Sequence, residues 1–208
     1  MIPKKLITVW INDDPVLPPI VEKCIATQMA MAEKMGWGYF FIDYHSCIVQ
    51  HSFIGESYLR GCLDNGKWVK AADNIRMKEL YGGGGVFLDA DTELLKPIPE
   101  EWLTYEMFVT QEKCGLYANG IVGAEAGSPV IEEYLRRVED NYKGSGDLIY
   151  EPGIRTFTDV VWENIFKKGN KRILVLPAET FHHPDKVIPP EAIGHHHMMK
   201  SWTRDIFK

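Results

Sequence analysis

The sequence predicts an α/β fold, a mixed and mostly parallel central sheet flanked by helices, in a single domain over 1–208. Three observations carry this. The chain opens with a strand–helix–strand pattern, which favours a βαβ unit. A helix then runs through four glycines straight into a short, wholly apolar stretch, Val86-Phe87-Leu88, as a strand buried on both faces requires. Strand and helix patterns keep alternating to about residue 176, with no internal repeat and no linker to divide them.

The elements follow in order. Lys5–Ile11 reads as the first strand. Pro19 to about Met35 places Ile20, Cys24, Met31 and Met35 at helical spacing and stops at Gly36, a suitable C-cap. Tyr39–Ile42 is the second strand. Residues 45–65 read mostly as loop with a short helix. Lys67–Tyr81 is a helix, with Val69, Ala72, Ile75 and Leu80 near one face. After the glycines and their strand, Met107–Gln111 and Leu116–Gly123 form two more strands. Ser128-Pro129 starts a helix, Ser as N-cap and Pro in the first turn, that runs to about Tyr142. A glycine-rich loop over Gly144–Gly153, a helix over Thr158–Lys168 and a strand over Ile173–Leu176 complete the pattern; Pro184–Gly194 is irregular.

Composition excludes several classes. At 208 residues the chain can bury a real core, and 45% apolar with 25% charged residues is ordinary for a globular domain. A net charge of −6 argues against a general nucleic-acid binder, although a bound cation would still let such a protein take a small anion. No apolar run is long enough to span a bilayer, and the first residues lack the apolar core of a signal peptide. Cys24, Cys47, Cys62 and Cys114 form no Cys-x-x-Cys pair, so reduced and mostly buried thiols of a cytosolic protein are expected.

Chemistry concentrates at Gly82–Asp91. The apolar strand ends in Asp89-Ala90-Asp91, at the carboxyl end where open α/β sheets bind ligands. If extended geometry persists, Asp89 and Asp91 point the same way, and two hard oxygen ligands suit Mg²⁺ or Mn²⁺ beside a phosphate. The glycines are either a turn closing the helix or a place where backbone approaches closely.

Three further groups stand out. Asp73 and Arg76 lie three apart on one helix, as a surface ion pair or as a pair poised over a ligand. His195-His196-His197 is a solvated run, a tag fragment, or the source of a nitrogen ligand that would suit Mn²⁺ better than Mg²⁺. Lys200 and Trp202 carry donors for phosphate, and Trp10, at the end of the first strand, is a core residue or a surface for a base.

Taken together, four segments resemble the family 32 glycosyltransferases, sugar transferases with a DXD motif. They are Ile2-Pro3-Lys4-Lys5 with Val9-Trp10-Ile11; Ala71-Ala72-Asp73-Asn74-Ile75-Arg76 with Leu80-Tyr81-Gly82-Gly83 and Val86-Phe87-Leu88-Asp89-Ala90-Asp91-Thr92-Glu93; Asn119-Gly120-Ile121-Val122-Gly123-Ala124; and His196-His197 with Ser201-Trp202. Their order covers nearly the whole chain. The resemblance implies a GT-A fold, Rossmann-like and nucleotide-sugar-binding, with Mn²⁺ or Mg²⁺ and a nucleotide-sugar donor, a UDP-sugar favoured. It implies transfer of a hexose or N-acetylhexosamine, with retention of configuration, to a saccharide or glycolipid acceptor. Carried onto this chain, it puts Trp10 by the nucleobase, Asp73 and Arg76 on the donor sugar, and Asp89 on ribose and metal. Asp91 and His196 would ligate the metal, with Ser201 and Trp202 near the diphosphate. It also implies a cytoplasmic enzyme of surface-polysaccharide synthesis, as in bacterial relatives, compatible with peripheral membrane association. The chain departs from the family in its four glycines, where two are usual, and in having no clean Thr-Gly-Pro element; Glu151-Pro152-Gly153 is the nearest.

Two alternatives remain at this level. Val86–Thr92 also fits the Asp-x-Asp-x-Thr element of haloacid-dehalogenase-type phosphohydrolases, where the first Asp is a nucleophile. A non-catalytic domain that binds a nucleotide sugar would carry the same residues.

Overall fold

The computed structural model describes residues 1–12, 16–44, 57–112, 115–142, 153–184 and 187–199. Cys47, Cys114, the Gly144–Pro152 part of the glycine-rich loop, and Lys200, Ser201 and Trp202 lie outside them.

β1 (Lys5–Trp10), α1 (Pro19–Met35) and β2 (Gly38–Asp43) form the opening βαβ unit, with β1 and β2 parallel. Gly36 ends α1 in the left-handed conformation at φ 68°, its N–H and that of Trp37 closing onto the carbonyls of Glu33 and Ala32. α2 (Ser57–Asp64) is the short helix expected within 45–65; residues 45–56 are outside the described set. α3 (Trp68–Gly83) leads into β3 (Gly85–Leu88), which pairs parallel to β1. After β4 (Thr92–Leu94) come β5 (Met107–Gln111), β6 (Tyr117–Ala124) and α4 (Pro129–Tyr142). α5 (Ile154–Trp162) begins four residues before the helix expected at Thr158 and ends in a π-helical turn over Glu163–Lys167. β7 (Ile173–Leu176) falls where expected. The Ser128 carbonyl accepts the Glu132 N–H, while its hydroxyl donates to the Glu106 carboxylate.

The main sheet has the order β2-β1-β3-β6-β5-β7. Only β6 runs against the others, so the sheet is mixed and mostly parallel. Period-two alternation sorts its side chains onto two cores. Ile7, Val9, Phe87, Val109 and Val122 pack under α2–α5, together with Ile75, Leu80, Tyr134 and Phe157. Leu6, Val86, Leu88, Phe108 and Ile121 face the other way, onto Ala32, Trp37, Leu103 and Phe181. β3 is buried at every position, which explains its unbroken apolar run.

The four glycines divide into two kinds. Gly82 and Gly83 form the last turn of α3; a side chain at Gly82 would meet nothing within 4 Å. Gly84 sits at φ 60°, and a Cβ there would lie 2.7 Å from the Ala126 nitrogen and 2.9 Å from the Ala124 carbonyl. Gly85 opens β3 at φ 125° against Lys5. The first pair closes the helix; the second lets β3 pass close to neighbouring backbone.

The histidine run is not a free tail. β8 (Gly194–His196) pairs antiparallel with β4 as a separate two-stranded ribbon, Thr92 opposite His196. Neither strand was expected, because at three residues each they carry too little pattern. No helix of the described residues is long and apolar enough to cross a membrane.

Candidate functional site

β3 stops at Leu88, and extended geometry does not persist through Asp89-Ala90-Asp91. The Thr92 N–H bonds the Asp89 carbonyl at 2.9 Å, so the motif is a tight turn. Gln28 holds it. This residue is wholly buried on α1, and its amide donates to the carbonyls of Asp89 (3.1 Å) and Thr92 (2.8 Å) while its own oxygen accepts from the Thr8 hydroxyl. Sequence reasoning missed Gln28. The available signal was a polar residue inside the buried stripe Val21, Cys24, Ile25, Gln28, Ala32.

Asp91 is gripped from three sides by the histidine strand. Its carbonyl accepts the His197 N–H, one carboxylate oxygen accepts the Met199 N–H at 2.8 Å, and the other lies 3.0 Å from His196 Nε2. Met198, between those two donors, is in the left-handed region at φ 49°, a conformation a non-glycine residue holds only when its surroundings impose it. His196 Nε2 is also 3.6 Å from Asp89.

Asp89, Asp91 and His196 therefore present ligand atoms all within 4.8 Å of one another. Two carboxylates and one imidazole form a donor set suited to a divalent cation of the Mn²⁺ or Mg²⁺ kind. Burial pushes the Asp91 carboxyl up, but the hydrogen bond and charge of His196 and the Met199 N–H outweigh it and hold the group below its ordinary value. Burial pulls the His196 imidazole down, and the Asp91 hydrogen bond and the charges of both aspartates outweigh that, so it is raised.

The three consecutive histidines have three different surroundings. His195 faces His183, Nδ1 to Nδ1 at 3.2 Å; His196 meets the aspartates; His197 is 3.2 Å from Glu93, which Lys23 also pairs.

Asp73 and Arg76 are not a surface pair. Arg76 is buried; its guanidinium reaches Asp73 at 2.8 Å and Asp89 at 3.0 Å, donates to the Asn119 carbonyl at 3.0 Å, and lies over the Phe87 ring. Burial opposes the charge, but Asp89 and Asp73 keep the guanidinium firmly protonated. The Asn119 amide donates to Asp73 in turn.

Asn119 and Gly120 arrive through an irregularity in β6. Its register against β5 jumps between Val109↔Val122 and Thr110↔Ala118, so residues 119–121 bulge away from β5 at the site. Gly120 accepts the Asp89 N–H at 2.8 Å, and a Cβ on it would lie 2.0 Å from an Asp89 carboxylate oxygen. Glycine is there because the carboxylate fills the space a side chain would need.

Trp10 packs against the small cluster of Val21, Ile25 and Ala90, as do Tyr39 and Met199, at the Asp89–Thr92 turn. Its indole N–H is buried without a hydrogen-bond partner among the described residues. Cys24 and Cys62 are buried free thiols, pushed up chiefly by burial to about 12 and about 11, and so are chemically quiet.

Residues 21–109, a little under half of the chain, match the family model described as a glycosyltransferase sugar-binding region containing a DXD motif. The match takes in Asp73, Arg76, Asp89 and Asp91. Comparison with curated proteins finds no match. Among solved structures, the chain is similar to the PaToxG glycosyltransferase at TM-score 0.56 and 17% identity, covering 80% of this chain and 72% of that one. It is also similar to a glycosyltransferase involved in glycosylation of the major capsid of PBCV-1, at TM-score 0.51 and 13% identity, covering 98% of each chain. The mixed α/β architecture is similar to that of these two solved structures, and residues 21–109 are similar to the DXD-containing sugar-binding region of glycosyltransferases.

Proposed function

We propose that this protein is a metal-dependent, retaining glycosyltransferase. It moves a hexose or N-acetylhexosamine from a nucleotide-sugar donor, a UDP-sugar first among them, to a saccharide or glycolipid acceptor. Its proposed setting is surface-polysaccharide synthesis at the cytoplasmic side of a membrane. The single observation that carries the reading is the convergence of Asp89, Asp91 and His196 on one point, with the buried Asp73–Arg76 pair against it.

In this reading Asp89, Asp91 and His196 hold the cation. A cation held there would supply positive charge against the negative charge that builds on the leaving nucleotide. Arg76 orients the Asp89 carboxylate and, with Asp73, fixes the donor sugar so that its anomeric carbon faces the acceptor. Trp10 offers its indole to the base, and Lys200, Ser201 and Trp202 supply donors to the diphosphate. No side chain is assigned as general base; in a front-face reaction the departing phosphate oxygen takes the acceptor proton. A phosphohydrolase would need Asp89 free as a nucleophile, and here Arg76 engages it.

The test is hydrolysis of a panel of UDP-glucose, UDP-galactose, UDP-N-acetylglucosamine and GDP-mannose with Mn²⁺. Asp91→Asn should abolish turnover and leave the fold intact. Full activity of that variant, or of the native protein in EDTA, would sink the reading. Cleavage of p-nitrophenyl phosphate would favour the phosphohydrolase, and calorimetric donor binding without turnover on any acceptor would favour a binding domain.

A further inference from the structure

We propose that His182 is a positioning residue for His196, linked to it through one buried water that fixes the His196 ring with its Nε2 toward Asp89 and Asp91. This rests on the reading of those three residues as a cation site.

His182 is only 3% exposed, and neither of its ring nitrogens has a hydrogen-bond partner among the described residues. The same is true of His196 Nδ1, the nitrogen that turns away from the carboxylates. These three orphaned nitrogens belong to two rings whose centroids lie 5.4 Å apart at a 59° tilt. The backbone sets the pair side by side: the His196 N–H donates to the Phe181 carbonyl at 2.8 Å, and the His182 N–H to that of Ala178 at 2.7 Å. Among the described histidines, the buried ring nitrogens without a partner are those of this pair. The next residue, His183, has both ring nitrogens engaged, on the Glu179 carbonyl and on His195.

Buried polar atoms are nearly always satisfied, and a buried water typically makes two to four hydrogen bonds to groups that lack other partners. The chemistry of His196 fixes the direction of the bridge. Whether it is protonated and bonded to Asp91, or neutral with its Nε2 lone pair on a cation, Nδ1 carries hydrogen and needs an acceptor. The water accepts from His196 Nδ1–H and donates to the unprotonated nitrogen of His182. A histidine ligand normally has its second nitrogen held in this way, by a carboxylate, a carbonyl or water, and removing such an outer partner typically lowers metal affinity about 10–100-fold.

The test uses the full chain with His182→Phe and His182→Gln. Three quantities are measured: Mn²⁺ affinity by electron paramagnetic resonance of the free ion, thermal midpoint without metal, and the His196 imidazole ¹⁵N shifts of the metal-free protein. His182→Phe fills the site with an apolar ring. It should bind Mn²⁺ about 10–100-fold more weakly and shift the His196 tautomer, with a thermal midpoint close to native. His182→Gln, which keeps a polar partner, should recover much of both. Unchanged Mn²⁺ affinity and unchanged ¹⁵N shifts in His182→Phe would overturn the proposal. So would a loss that follows the thermal midpoint down and is not rescued by His182→Gln. Should His182→Phe fail to fold, the smaller apolar variant His182→Leu carries the same comparison. A native protein that binds no Mn²⁺ would remove the cation reading, and the ¹⁵N shifts would then decide the His182–His196 link alone.

Discussion

The site has two halves built in opposite ways. One half, residues 68–91 with Gln28 and the β6 bulge, belongs to the main sheet and its core; Arg76 and Gln28 are buried, and the turn hangs from the end of β3. The other half, residues 178–184 and 187–199, contributes His196 from a three-residue strand on a separate ribbon; the His197 N–H donates to the Asp91 carbonyl, and the Leu95 and Lys96 N–H groups donate to that of Ile193. The first half is inseparable from stability, because its polar groups are buried among core residues. The second enters the core through Phe181, but His196 itself lies outside the apolar clusters, so its side chain can supply a ligand without holding the fold together. Substitutions should therefore separate function from stability in the second half and fail to separate them in the first.

The largest effect expected is at the shared residue. Asp91→Asn keeps the size of the side chain but removes the charge facing His196, and loss of Mn²⁺ binding is the expected outcome, with a thermal midpoint lowered only by the loss of that one ion pair. A large fall in midpoint would break the division, since it would make the second half structural as well.

Gly120→Ala comes next, in the first half. The added methyl would meet the Asp89 carboxylate. Overpacking of this kind costs about 1–3 kcal/mol, and at this chain length each kcal/mol lowers the thermal midpoint by roughly 2–4 °C. Both stability and Mn²⁺ affinity should fall. A variant of native affinity would show that Asp89 is not needed for the cation.

Gln28→Leu tests the support of the turn. It leaves the Asp89 and Thr92 carbonyls without that donor inside the protein, and a buried unsatisfied group costs about 1–3 kcal/mol. Chemical denaturation reads the loss, and metal affinity should drop with it.

The pH dependence sharpens the second half. The His196 pKa is raised above its ordinary 6.5 in the folded protein, so its contribution is fully present below 6.5 and is lost as pH rises through the folded value. The Asp91 pKa is lowered below 3.8, so its contribution is present above 3.8 and lost as pH falls through the folded value. These are two sides of one ion pair, which stabilises the metal-free protein between the two folded values. Cation binding must displace the His196 proton, so Mn²⁺ affinity should rise with pH through the raised His196 value while metal-free stability falls. Calorimetry in buffers of different ionisation enthalpy would count the proton released; none released would remove His196 from the ligand set.

The smallest effect is at the glycines. Gly82→Ala lies in a helix with open space around it and should be neutral or stabilise by up to about 1 kcal/mol. Gly84→Ala, at positive φ against two backbone atoms, should instead destabilise. Equal midpoints for the two would refute the division of the glycine run.

The same division governs what could be read in advance. α1, α3 and α4 were legible because apolar spacing, Gly36 and Ser128-Pro129 are local signals that packing then reinforces. β3 was legible as an apolar run before two carboxylates. β4 and β8 were not, since three residues show no period and their pairing joins positions about a hundred apart in the chain. Gln28 and Gly120 were also hidden as positioning groups: one is read as an off-pattern helix residue, the other as an ordinary glycine, until Asp89 is seen against both.

The sequence by itself determined the α/β class, the order of the larger elements, the DXD motif at the end of β3 and the Asp73–Arg76 helix. Each depends on periodicity, end signals or residue chemistry within a short window. Only the tertiary structure decided that the carboxylates converge through a turn rather than an extended strand, that Arg76 bridges Asp73 to Asp89, and that His196, flanked by two other histidines, is the one facing them. Those facts come from hydrogen bonds and close packing between segments far apart in the chain, which no local pattern encodes.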